Sequence, residues 1–286
     1  MLETQWSRGN FVCVGLDPTV DNLPDPLRLR YTEYSQTTPS SRFATFNCAI
    51  VEATKDLVCA YKPNTAFYEA HGAEGIEALH QTITNIHAIA PGVPVILDAK
   101  RADIGNTNNG YVKFAFGYLQ ADAITVHPYL GAEALQPFLD CKNKGIFILC
   151  RTSNPGAGEF QDFDISGDVV PGGYMPLYKY VAYRVTKNWN KNENCALVVG
   201  ATYPDELREI RGTAGDIPIL IPGIGAQGGD VEKTVIAGKD SRGQGMIINS
   251  SRGIIFASKG LDFAEAARRA TEKLSNLINQ YRLERI

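Results

Sequence analysis

Eight short apolar runs, each followed by a longer stretch of helical spacing, constrain this chain more than any other feature. They are Phe11 to Asp17, Leu57 to Pro63, Val93 to Lys100, Ala123 to Pro128, Gly145 to Thr152, Cys195 to Thr202, Pro218 to Gly223 and Gly245 to Ser251. Each is apolar at successive positions and most are rich in β-branched residues, the pattern of a strand buried on both faces of a parallel sheet. Between the runs, apolar side chains return at helical intervals. Phe43, Phe46, Ile50 and Val51 form one such set, Ile76, Leu79, Ile83 and Ile86 a second, and Phe263, Ala267, Ala270, Leu274 and Leu277 a third. Amphipathic crossover helices are expected there. Eight β-then-α units favour a closed sheet over an open one, so the expected fold class is α/β, a (β/α)8 TIM barrel. A length of 286 residues suits one such barrel, and a single domain over residues 1–286 is expected.

Two connections exceed the usual length of a βα loop. One begins at Asp17 with DPTVDNLPDP; the other follows Thr152 and reads SNPGAGEFQDFDISGDVVPGGYMP. Both leave the C-terminal ends of strands, where barrel active sites are built.

The charge balance narrows the ligand class. A formal net charge of −3 and a pI near 5.9 argue against a broad basic surface for nucleic acid or anionic membrane. A small anionic substrate needs only a few local cations. The opening MLETQWSRGN lacks the basic flank and apolar run of a secretory signal, and no apolar stretch is long enough to span a bilayer, so a cytoplasmic protein is expected. The six cysteines form no CxxC pair, and Cys13, Cys59, Cys150 and Cys195 lie inside apolar runs, as reduced core thiols do. His71, His80, His87 and His127 show no HExxH or HxH spacing, so no metal site is expected.

Polar residues break the apolar pattern at the strand ends. Asp17 closes the first run, Lys62 the second, and the third ends in Asp98 and Lys100, with Asp103 following. Alternation along a strand puts Asp98 and Lys100 on one face. A lysine among carboxylates stays protonated and can donate to a carbanion, while those carboxylates resist a third one placed beside them. The same residues also suit a solvated ion-pair cluster, and a lysine ending the second strand suits a Schiff base. Farther on, PGIGAQGGD follows the seventh run and NSSRGI the eighth. Glycine-rich turns there expose backbone N–H groups to a phosphate, with Gln227 and Arg252 as further donors. Tight turns alone would also account for the glycines.

The motifs CVGLDP, AYKPN, DAKRADIGNT, CRTSNPG, VVGATYP, PGIGAQGGD and NSSRGI, in this order over nearly the whole chain, resemble those of the orotidine 5'-monophosphate decarboxylases, in particular a longer bacterial subgroup. The resemblance implies a homodimeric enzyme that needs no cofactor and acts on a nucleotide. In it Lys100 protonates C6 of the pyrimidine within a network of Lys62, Asp98, Lys100 and Asp103. It also implies that Asp103 and Thr107 complete the site across the dimer interface, and that Asp17 and Lys62 hold ribose hydroxyls. Ser153 would meet the pyrimidine edge, and Gln227 and Arg252 would grip the 5'-phosphate. Pro63 and Asn64 after the lysine, and the loop GAQGGD, depart from the better-known members. Two other activities share parts of this pattern: a metal-dependent sugar-phosphate decarboxylase or aldolase, and a barrel that binds a nucleotide without turnover.

Overall fold

The computed structural model describes residues 1–29, 39–225 and 228–284. Ten strands occur among them: β1 (Val12–Gly15), β2 (Val58–Lys62), β3 (Ile96–Arg101), β4 (Ala123–Val126), β5 (Gly145–Arg151), β6 (Asp164–Ser166), β7 (Tyr174–Pro176), β8 (Cys195–Val199), β9 (Ile219–Pro222) and β10 (Met246–Ser250). Eight belong to one sheet in the order β2-β1-β10-β9-β8-β5-β4-β3. Its end strands meet through the parallel bridges Tyr61 to Val95 and Asn64 to Asp98, so the sheet returns on itself. Helices separate successive strands, among them Pro39–Thr54, Gly72–Ile89, Gly131–Leu139, Leu177–Arg184, Pro204–Ala214 and Val231–Gly238. This is the (β/α)8 barrel expected from the eight runs.

The barrel strands fall within the apolar runs and are shorter than them, except that β3 ends one residue beyond its run, at Arg101. β1, β2, β4, β8 and β10 are buried at every position, as parallel strands covered on both faces must be. The stretch after Thr152, expected as a plain loop, is not one: it carries a short helix, Gly158–Gln161, and an antiparallel pair in which β6 opposes β7. The turn between β6 and β7 contains Gly167, Gly172 and Gly173, all with positive φ, and the two strands, three residues each and largely exposed, carry no apolar run.

The chain packs as two compact units, whose segments alternate along the sequence. The first comprises Met1–Ala99, Lys113–Ala123 and Asn249–Asn279, the second Lys100–Val112, Ile124–Ile248 and Gln280–Ile286. In the first, the helices Pro39–Thr54 and Gly72–Ile89 bury Phe43, Phe46, Ile50, Leu79, Ile83 and Ile86. In the second, Phe138, Ile146, Ile148, Leu197, Leu207, Ile210, Ile219 and Ile221 form the core. A buried arginine also holds it together. Arg211 donates from Nε to the Gly238 carbonyl at 2.8 Å, from Nη1 to Gly215 and Ile217 at 2.7 Å each, and from Nη2 to Gly245 at 2.9 Å. Burial pulls its pKa down to about 10 against the opposing charges of Asp240 and Asp216, which still leaves it charged near neutrality.

All six cysteines are free thiols, and Cys13, Cys59, Cys150 and Cys195 are buried, as their apolar surroundings predict. Among the described residues no helix is long and apolar enough to cross a membrane.

Candidate active site

In the first unit, polar side chains gather where β1 and β2 end and where β3 is still buried. Lys62 is the last residue of β2 and only 4% exposed, and its Nζ donates to Asp98 Oδ2 at 2.9 Å. Burial alone would push the ammonium toward neutrality. The charges of Asp98 and then Asp17 outweigh it, so the pKa of Lys62 is raised above its ordinary value. Such a lysine holds its proton, which disfavours the Schiff-base reading, since an amine must be neutral to attack a carbonyl.

Asp17 stands two residues beyond β1, not within it, and its carboxylate is held from two sides. The Ser251 hydroxyl donates to Oδ2 at 2.7 Å, and the Asn64 backbone N–H donates to Oδ1 at 3.2 Å. Asn64 also reaches Asp98 Oδ2 with its side-chain amide at 3.5 Å, and its Oδ1 caps the helix Thr65–Glu69 by accepting the Ala66 N–H at 3.1 Å. One residue thus links both carboxylates to a helix start. Glycine is required at position 15, where a Cβ would lie 2.7 Å from that of Ser251.

Behind Asp17 lies a buried relay. Tyr68 donates its hydroxyl to the Leu16 carbonyl at 2.9 Å and accepts from Asn47 Nδ2 at 2.9 Å; that amide also donates to Thr82 Oγ1 at 3.0 Å. The neighbouring Cys13 thiol is pushed up to about 12, chiefly by burial, and stays protonated.

The second unit begins at Lys100, where the backbone departs from a regular strand. Lys100 has φ of 48°, in the left-handed region that non-glycine residues seldom enter, and its N–H donates to Thr125 Oγ1 at 2.9 Å. A left-handed residue interrupts the pleat, so the alternation used to place Asp98 and Lys100 on one face does not extend to Lys100. Asp98 is buried and Lys100 is exposed. Strain of this kind, about 1–3 kcal/mol, persists where surrounding structure enforces it, commonly at functional sites.

Beyond Lys100, Asp103 accepts the Ile104 N–H at 2.7 Å, and its own N–H donates to Asn108 Oδ1 at 2.9 Å. Asn108 is fully buried and returns its amide to the Asp103 and Ala134 carbonyls. It pins the DIGNT segment, while Thr107 on the same turn stays exposed.

At the end of β5, Arg151 is 2% exposed, pairs with Asp162 at 3.0 Å and packs 3.8 Å from the ring centroid of Tyr203. The Thr152 N–H donates to Gln161 Oε1 at 2.8 Å. Ser153 is half-buried beside Gly200, where a Cβ would lie 2.7 Å from the Ser153 Cα. After β9, Gly223, Gly225 and Gly228 all take positive φ, and the Gly229 N–H closes the turn onto the Gly223 carbonyl at 3.0 Å. Gln227 lies outside the described residues. Arg252 opens the helix Arg252–Ile255, exposed and with no side-chain partner among the described residues. No group of three or more His, Cys, Asp or Glu that could hold a metal occurs among the described residues.

Asn64, Ser251 and Asn108 were not among the site residues expected from sequence. Each stands near an expected one, in KPN, NSSR and DIGNTN; Asn64 and Ser251 are short polar side chains just past a strand end, and Asn108 lies in the helix Gly105–Val112 that follows β3.

Residues 10–270 match the orotidine 5'-phosphate decarboxylase / HUMPS family. The chain belongs to that family. It is 48% identical over 282 residues to the orotidine 5'-phosphate decarboxylase of Azoarcus sp. (strain BH72), covering 98% of each chain. Among solved structures it resembles Leishmania donovani OMP decarboxylase, with 36% identity and a TM-score of 0.82 over 99% of this chain and 98% of that one. It also resembles Leishmania donovani UMP synthase, with 39% identity and a TM-score of 0.83 over 98% of this chain and 55% of that longer one.

Proposed function

We propose that this chain converts orotidine 5'-monophosphate (OMP) to uridine 5'-monophosphate (UMP) and CO2, the last step in making UMP, as a single-domain, homodimeric, cytoplasmic carboxy-lyase without a cofactor. The observation that carries the reading is the buried Lys62–Asp98 pair, with a backbone-strained Lys100 following Asp98 on β3, in a chain that matches decarboxylases over 98% of its length.

The chemistry asks for such an arrangement. Loss of CO2 from C6 of the pyrimidine leaves an electron pair with no carbonyl or imine to accept it, so stabilisation on the order of 20 kcal/mol is required. Asp98 cannot be neutralised cheaply while Lys62 holds it, so a substrate carboxylate placed beside it is repelled. As the bond between C6 and the carboxylate breaks, its electron pair stays on C6, CO2 leaves as a neutral molecule, and Lys100 delivers its proton to C6. Solvent then reprotonates Lys100.

Asp17 and Lys62 hold the ribose hydroxyls, and Ser153 meets the pyrimidine edge. Gln227 and Arg252 hold the 5'-phosphate, whose binding energy drives closure of the loops after β5 and β9 and exclusion of water. Asp103 and Thr107 serve the partner subunit's site, and the exposure of Thr107 on the segment that Asn108 pins supports this. Support for the phosphate role comes from the exposed guanidinium of Arg252, which has no side-chain partner among the described residues, and from the positive-φ glycines of the β9 turn.

The test is the absorbance change of OMP with purified protein, with and without a chelator. Equal, rapid conversion to UMP in both supports the proposal. No conversion by the folded dimer points to a metal-dependent sugar-phosphate enzyme, conversion abolished by the chelator overturns the cofactor-free mechanism, and tight UMP binding without turnover points to a nucleotide-binding barrel.

A further inference from the structure

The second unit contains a cavity of about 750 Å³ that none of the residues assigned to OMP lines. It lies among the turn after β4, the C-terminal end of β5 and the helix Leu177–Arg184, and its walls are mostly aromatic and aliphatic. The volume falls within the range of roughly 300–1,000 Å³ that small-molecule sites occupy. Tyr129 and Phe160, 86% and 65% exposed, contribute to its lining.

Two of the lining residues carry a buried donor that has no acceptor among the described residues. Arg184 Nε and Trp189 Nε1 are both buried without a hydrogen-bond partner among the described residues. Unsatisfied buried donors are uncommon and cost about 1–3 kcal/mol each. Arg184 does bond the Tyr180 hydroxyl through Nη1 at 2.9 Å and packs over that ring at 5.6 Å. Yet no carboxylate pairs with it among the described residues, so the cation lacks a counter-charge there. The Tyr178 hydroxyl is committed to Glu209 at 3.0 Å and leaves only ring surface.

The backbone adds a third observation. Directly after Arg184 the helix widens into a π-helix, Val185–Trp189, closed by the Asn190 N–H on the Val185 carbonyl at 3.0 Å. Such turns are rare and concentrate at functional sites. This one carries Trp189 to the wall beside Arg184.

We propose that this cavity binds a planar aromatic anion, its ring against the aromatic wall of Tyr180 and Trp189 and its anionic group paired with the Arg184 guanidinium. The stacked guanidinium supplies both charge and a flat face, the combination that selects an aromatic anion over a neutral apolar molecule.

The probe is 1-anilinonaphthalene-8-sulfonate, compared with its uncharged counterpart N-phenyl-1-naphthylamine, on the purified full chain with saturating UMP. Expected is one sulfonate probe per chain, undisplaced by UMP, with the uncharged compound about tenfold weaker or more. Arg184→Met lowers probe affinity about tenfold, and Trp189→Phe, which removes part of the aromatic wall, lowers it about threefold. If Arg184→Met does not fold, Trp189→Phe carries the test. Equal affinity for the two compounds, unchanged affinity in the folded variants, displacement by UMP, or no binding would overturn the proposal. So would probe affinity that falls as protein concentration rises, which would make a second copy of the chain the occupant.

Discussion

Lys62 and Arg211 are both buried cations, but they are satisfied in opposite ways. Lys62 faces carboxylates: Asp98 at 2.9 Å, and Asp17 near enough to help raise its pKa. Arg211 faces four neutral carbonyls, and burial lowers its pKa. All the hydrogen-bonding directions used at Arg211 end on backbone, so the group is closed to any ligand and its work is to tie together the segments around Gly215, Gly238 and Gly245. At Lys62 the partners are side chains whose charges reach beyond the pair. A buried charge alone therefore does not mark a site; a buried charge whose partners are themselves charged, at the end of a barrel strand, does.

Replacing each cation should separate these roles. Lys62→Met leaves Asp98 without its counter-ion, so turnover of OMP should fall by about a thousandfold or more, with a stability loss of about 3–5 kcal/mol in urea denaturation. A variant that keeps turnover within tenfold of the parent would remove Lys62 from the chemistry. Arg211→Met should do the reverse: about 2–4 kcal/mol of stability lost as carbonyls go unsatisfied, with kcat per folded molecule within about twofold. A kcat collapse at unchanged stability would refute the contrast.

Arg252 is the third case, an exposed cation with no side-chain partner among the described residues. Arg252→Ala should leave the denaturation midpoint unchanged and lower kcat/KM for OMP about a hundredfold, the scale of charge-assisted bonds to a phosphate. Unaltered kcat/KM would take it out of the phosphate site.

Alkaline pH sharpens the comparison further. The folded-state pKa of Lys62 lies above its ordinary value of 10.5, so its pairing contributes stability fully below that pH and loses it as pH rises toward the folded pKa. The stability gap between the parent and Lys62→Met should therefore narrow above about pH 10.5. A gap that stays constant to pH 12 would mean that the Lys62 pKa is not raised by folding. The smallest effect belongs to the relay behind Asp17. Tyr68→Phe removes the bond to the Leu16 carbonyl and should cost about 1–2 kcal/mol of stability, with KM for OMP moving more than kcat; no change in either would make the relay incidental.

The barrel was legible because eight buried strands leave an apolar signature that few other folds produce, and the charges that meet in the buried Lys62–Asp98 pair were legible because they interrupt that signature toward the strand ends. Other features were hidden for physical reasons. The left-handed turn at Lys100 depends on its contact with Thr125, which no local spacing encodes. Asn64, Ser251 and Asn108 act through hydrogen bonds that only the fold brings together, and short polar residues are too common to single out. Arg211 looks in sequence like any charge on an amphipathic helix; only the carbonyls converging from Gly215, Ile217, Gly238 and Gly245 show it to be structural.

The most direct test of the account is the rate of UMP formation by Lys100→Ala, measured alongside the parent under conditions where both are folded. Loss of the proton donor predicts a fall of at least about a thousandfold, the scale of general-acid catalysis, with UMP binding retained. Turnover within tenfold of the parent would show that C6 takes its proton from elsewhere and would contradict the account.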